Sequence, residues 1–235
     1  MSQLEPHLHV DAGSDPEAVV LVLHGGRQTS TTPVSARQLA VLRMIPFARR
    51  IARHGHGRVA VARLRYRARG WNAVPGQTPP PVADAEWALD RLAERFGQLP
   101  VGLVGHSMGG RTALRVGGHP RVRGVVALAP WLPRSEPVAQ LAGRQVLLVH
   151  GSADRMTDPQ GSALFADRLE QADTPVSLVR VAGGRHAMLR RPRLWHELAA
   201  QFVLSTVLTD YQPSGWQDAP NFLGQVRQAP ARLTY

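Results

Sequence analysis

The chain has 235 residues, 43% hydrophobic and 19% charged, enough for one domain to bury a substantial core without disulfides or metal staples. It contains no cysteine, which excludes disulfides, a cysteine nucleophile and thiolate metal sites. The formal charge is +11, but all 28 basic residues are arginine and they are scattered along the chain, so nucleic acid is not the expected partner.

The stretch from Met1 to His7 has neither a positive n-region nor an apolar h-region, and no run approaches the roughly 18 apolar residues of a membrane span. The expectation is a soluble cytoplasmic protein with no membrane partner.

In chain order, His7 to Val10 reads as a short edge strand and Val19 to Leu23 as a buried one, followed by His24-Gly25-Gly26. A helical stretch covers about 35–53. A strand follows from Val59 to Ala62, and Arg63 to Arg69 then alternates at strand period, which sets its arginines on one side as a solvated strand end and loop. Pro79-Pro80-Pro81 leads into a helix over about 82–96 whose Val82, Trp87, Leu89, Leu92 and Phe96 lie broadly on one face.

Val101 to Val104 is the next strand, and Gly105-His106-Ser107-Met108-Gly109 follows it directly, opening a helix through Val116. The two glycines let the backbone pass a crowded turn that tips a serine hydroxyl out of the sheet. Later strands are expected at 125–128, 146–149 and 176–179, with helices at about 161–172 and 193–208. Residues 209–235 show no period and read as a tail that wraps the surface or is partly disordered. The alternation of short valine-rich runs with helical stretches predicts an α/β fold, a mostly parallel twisted sheet with helices on both faces, in a single domain over 1–208.

In an open parallel sheet, ligands bind beyond the carboxyl ends of the strands, so residues just after strands carry the chemistry. Ser107, Asp154 and His186 each follow a strand. A serine hydroxyl needs a base near pKa 7 to take its proton and a carboxylate to orient that base, and these three supply the set. Asp158 is a rival for the acid, although it precedes Pro159 and suits a helix cap. His24, His106 and His150 read as packing or loop-ordering groups. No histidine has metal-ligand spacing, so no metal or other cofactor is expected.

These motifs resemble the α/β-hydrolase family over about residues 19–208: Gly-His-Ser-Met-Gly-Gly its nucleophile elbow, His-Gly-Ser-Ala-Asp its acid loop and Gly-Gly-Arg-His its histidine loop. The size is similar to that of the dienelactone-hydrolase-like members. The resemblance implies that the N–H groups of Met108 and Gly26 receive the oxyanion, with Gly25 and Arg27 as alternatives to Gly26. The gap from Pro130 to Gln145 is too short for a cap domain, which predicts an open site. Arg27, Trp131 and Arg185 adjoin the motifs as candidate substrate contacts. The expected activity is a serine esterase or thioesterase acting on a small-molecule or carrier-bound acyl substrate. The alternatives are an acyltransferase or perhydrolase on the same residues, or a non-catalytic protein that binds an acidic partner through its arginines.

Overall fold

The computed structural model describes residues 5–228 and 230–235; residues 1–4, the beginning of the amino-terminal stretch read above, lie outside it. The strands are β1 (His7–Asp11), β2 (Ala18–Leu23), β3 (Val59–Arg65), β4 (Val101–His106), β5 (Val122–Leu128), β6 (Gln145–Gly151), β7 (Val176–Val181) and β8 (Ala231–Thr234). The helices are α1 (Leu39–Gly55), α2 (Pro80–Phe96), α3 (Met108–Val116), α4 (Pro159–Gln171), α5 (Pro192–Val207) and α6 (Ala219–Arg227).

All eight strands form one sheet in the order β1-β3-β2-β4-β5-β6-β7-β8. Among the described residues only β1 runs antiparallel, pairing with β3; every other strand pair is parallel. The central strands are apolar throughout because both faces are covered. Val19, Leu21, Leu23 and Leu103 face a core shared with α2, α3 and α4. Val20, Val22 and Val104 face a second core with α1, α5 and α6. The alternation assigns neighbouring residues of one strand to opposite layers. No cap domain interrupts this arrangement, since the connection from β5 to β6 carries only a short 3₁₀ turn, Ala139–Leu141.

Two regions differ from the sequence expectation. Leu64, Tyr66 and Ala68 are buried while the arginines between them are half-buried, so the strand period persists beyond Arg65; Arg67 pairs there with the buried carboxylate of Asp84. Residues 209–235, which show no period in the sequence, carry α6 and β8. Phe222 and Leu223 are buried, and β8 extends the sheet by pairing Ser177 with Ala231 and Arg180 with Thr234. No helix among the described residues is long and apolar enough to cross a membrane.

Candidate active site

Ser107 stands between the end of β4 and the start of α3, at φ 55° and ψ −118°. A residue with a side chain pays on the order of 1–3 kcal/mol to sit in such a region, so the surroundings must impose it. They do so through close backbone approach. A Cβ on Gly105 would fall 2.1 Å from the Gly109 carbonyl oxygen, and one on Gly109 would fall 2.5 Å from that of His24. The turn is fixed by hydrogen bonds from Ser107 N–H to Leu128 O at 2.9 Å and from Arg111 N–H to Ser107 O at 3.1 Å.

Asp154 and His186 lie beyond β6 and β7, and His186 Nδ1 donates to Asp154 Oδ2 at 2.8 Å. Oδ1 accepts from the Met156 and Thr157 N–H groups at 2.8 and 3.1 Å, and Oδ2 also accepts from Thr157 Oγ1 at 2.9 Å. Burial by itself raises the Asp154 carboxyl; hydrogen bonds from His150, from these two N–H groups and from His186 outweigh it and hold the group well below the usual carboxylate range. The carboxylate therefore stays ionised and fixes the tautomer of His186, leaving Nε2 free to accept a proton. Among the described residues, Ser107 Oγ is in no hydrogen bond; contacts between nucleophile and base are commonly loose before substrate arrives.

The flanking His106 and His24 are neutral ordering groups. Burial, and then the neighbouring His186, pushes His106 down to about 3, and its Nε2 donates to the His186 carbonyl at 2.9 Å. Burial pushes His24 down to about 4; its Nδ1 donates to Gly25 O at 2.7 Å and its Nε2 accepts from Tyr66 N–H at 3.3 Å. His150 joins Ser162 Oγ at 2.8 Å and approaches Asp154 Oδ2 at 3.3 Å. Ser162, His150 and Asp154 thus repeat the chemistry of a serine-histidine-acid set, but Ser162 is completely buried and no acyl group reaches it. Asp158 caps α4 by accepting from Gln160 N–H at 2.9 Å.

The structure narrows the oxyanion candidates. Arg27 N–H donates to Arg69 O at 2.8 Å and is already engaged. Gly26 lies against Met108, because a Cβ on it would fall 2.4 Å from Met108 Cε. Met108 N–H opens α3, where the helix dipole favours negative charge. Trp131 comes close, its N–H 3.4 Å from Ser107 O, whereas Arg27 and Arg185 are exposed at the rim.

Two groups escaped the sequence reading. Thr157 sits between Asp154, His150 and His186, its hydroxyl 3.1 Å from His186 Nδ1. Arg111 lies 4.0 Å from the Trp71 ring centroid and 4.6 Å from that of Trp131, while its Nε donates to the buried Glu136 at 2.6 Å. Among the described residues, no group of three histidine or carboxylate side chains could hold a metal ion.

The family model described as serine aminopeptidase, S33, matches residues 14–144, more than half of the chain. The chain belongs to this family of α/β-hydrolases. Solved structures share the family fold at low identity. A serine hydrolase without lid from Xanthomonas campestris is 22% identical with a TM-score of 0.62, over 90% of this chain and 91% of that one. The ferulic-acid-bound Est1E of Butyrivibrio proteoclasticus is 15% identical with a TM-score of 0.63, over 86% and 95%. A puromycin-hydrolysing peptidase of Mycobacterium tuberculosis is 18% identical with a TM-score of 0.62, over 89% of this chain and 38% of that one. Comparison with curated proteins returns no match.

Proposed function

We propose that this α/β serine hydrolase cleaves a carboxylic ester or thioester of a small-molecule or carrier-bound acyl compound through an acyl-enzyme on Ser107. His186 Nε2 takes the Ser107 Oγ proton as Oγ attacks the carbonyl carbon, and the N–H groups of Met108 and Gly26 receive the oxyanion. The tetrahedral intermediate collapses as the imidazolium returns its proton to the leaving oxygen or sulfur. Water, deprotonated by the same nitrogen, then attacks the acyl-enzyme and releases the acid and Ser107. An alcohol or peroxide in place of water gives acyl transfer or perhydrolysis.

The observation that carries the reading is the 2.8 Å pair of His186 and Asp154 on loops next to a serine held at φ 55°. The family's description favours an amide as the second reading, and Est1E and the lidless fold favour the ester.

A fluorophosphonate probe tests the nucleophile. Stoichiometric labelling of the parent and none of Ser107→Ala is expected, with the circular dichroism unchanged. An unlabelled parent, or a labelled Ser107→Ala protein, overturns the assignment. Matched ester, thioester and anilide substrates then rank the leaving groups by kcat/KM.

A further inference from the structure

Six large hydrophobic side chains are exposed among the described residues: Leu39, Leu42, Val74, Met156, Leu164 and Leu189. Leu39 and Leu42 open α1 after β2, Val74 lies between β3 and α2, Met156 precedes α4, Leu164 is in its second turn, and Leu189 lies between β7 and α5. Every one therefore sits at the carboxyl edge of the parallel strands, the edge that carries Ser107, Asp154 and His186. Single exposed apolar residues are ordinary, but their collection at one edge marks an interaction surface.

The three most exposed, Met156 at 78%, Leu39 at 75% and Leu189 at 71%, are connected through the site. Met156 N–H bonds Asp154, Asp154 bonds His186, and the next residue, Ala187, accepts from Arg43, one helical turn on from Leu39. Leu189 is two residues beyond Ala187.

Charge selects the partner. Arg37, Arg155, Arg185, Arg190 and Arg191 are exposed in the same segments, and none belongs to an ion pair among the described residues. The exposed acid of the acid and histidine loops is Asp158, engaged as a helix cap. Asp15, Glu17, Asp173 and Asp210 are exposed at the opposite edge, where strands begin and α5 ends. Apolar tips interleaved with uncompensated guanidinium groups match an anionic amphiphile surface, where an apolar anchor and a basic patch act together.

We propose that the carboxyl edge docks on an anionic lipid surface. Leu39, Met156 and Leu189 enter the acyl boundary, the arginines meet phosphate or carboxylate headgroups, and Ser107 takes the acyl group of an amphiphile held there. Surface docking requires no spanning helix. The tips come from separate segments, which is why the sequence reading included no membrane. The substrate class rests on Ser107 as nucleophile, whereas the docking does not and is measured on Ser107→Ala.

The Ser107→Ala protein is co-sedimented with phosphatidylcholine vesicles and with vesicles containing phosphatidylglycerol. Binding to the anionic vesicles is expected, weakening with salt, with little binding to the neutral ones. Adding Leu39→Ser with Leu189→Ser lowers partitioning at least tenfold, Arg190→Gln lowers it about fivefold, and Arg49→Gln with Arg53→Gln, on the flank of α1, changes it less than about twofold. In the active protein, Leu39→Ser with Leu189→Ser leaves turnover of a soluble acetate ester unchanged. Absence of anionic binding, equal binding to neutral vesicles, or unchanged binding after Leu39→Ser with Leu189→Ser overturns the docking surface. Vesicle binding without fluorophosphonate labelling overturns the nucleophile instead and leaves the docking surface standing.

Discussion

His106 Nε2 donates to the backbone carbonyl of His186 at 2.9 Å, joining residues 80 positions apart. The residue before Ser107 thereby holds the loop that carries the proposed base. His106 is pushed down to about 3, chiefly by burial, so it remains neutral and the bond does not change over the ordinary pH range. His106→Phe is expected to lower kcat/KM by roughly 10- to 100-fold, since displacing a catalytic group by about 1 Å costs that much. His106→Gln, whose Nε2 also donates, should recover most of it. Equal losses in the two variants, measured on a neutral ester, show that the bond is not the cause.

Asp154 yields a pH prediction with a definite sign. Its folded carboxyl titrates below the unfolded value near 4, so the stability it contributes is full above that value and declines as pH falls toward the folded one. The slope is about 1.4 kcal/mol per pH unit for one group. Between pH 5 and pH 3 the parent should therefore lose roughly 1 kcal/mol more than Asp154→Asn, compared through urea midpoints. In activity, Asp154→Asn should lose about 10⁴-fold in kcat, as expected when the base is left in the wrong tautomer.

The central strands were legible because strands covered on both faces must be apolar, and the Gly105 to Gly109 spacing was legible because only glycine tolerates the backbone contacts there. β8 was not legible. It has four residues, its burial alternates between exposed and half-buried, and among the described residues it pairs with β7 alone. Nor were the roles of Thr157 and Glu136, which come from partners distant in sequence: Thr157 meets His186 across 29 residues and Glu136 meets Arg111 across 25. That Arg27 N–H is engaged was not legible either, because it rests on the long-range bond to Arg69 O.

Gly26 is exposed and yet has no room for a side chain. A Cβ would lie 2.4 Å from both Arg69 O and Met108 Cε, and the first of these is backbone that cannot swing aside. Gly26→Ala should therefore displace the loop that carries the candidate oxyanion donor, together with the Met108 side chain it meets. A fall in kcat of about 10²–10³-fold with little change in KM is expected, the loss typical of one missing oxyanion donor. An unchanged kcat places the second donor elsewhere.

Glu136 takes two arginine charges in a buried position, Arg111 Nε on one oxygen and Arg115 Nε on the other. Arg111 is itself enclosed between Trp71 and Trp131, so the carboxylate anchors the β5–β6 connection over α3. Glu136→Gln leaves a buried guanidinium without its counter-charge and should cost about 2–4 kcal/mol, a little below the full buried-pair loss because Arg115 is 32% exposed. A fall in melting temperature of roughly 5–15 °C is the corresponding thermal signal. Arg115→Gln should cost less than about 1 kcal/mol. Similar losses in the two variants show that the stability lies in the Arg115 contact and that the buried Arg111 pair is dispensable.

The described residues of the carboxyl-terminal segment, 209–228 and 230–235, should unfold together with the rest of the chain. Phe222 is completely buried, the Trp216 ring packs against it at a tilt with centroids 5.5 Å apart, and Tyr235 exchanges backbone hydrogen bonds of 2.7 and 3.0 Å with Ala182 and Arg180. Tyr211 OH donates to the buried Gln201 of α5 at 2.7 Å, which ties the start of the segment to the same layer. Phe222→Ala should then cost about 3–5 kcal/mol, the range for an aromatic removed from a packed core. The urea transition should stay single, with Trp216 fluorescence and far-ultraviolet dichroism changing together. A loosely attached segment would give a loss below about 0.5 kcal/mol and a fluorescence change that precedes global unfolding.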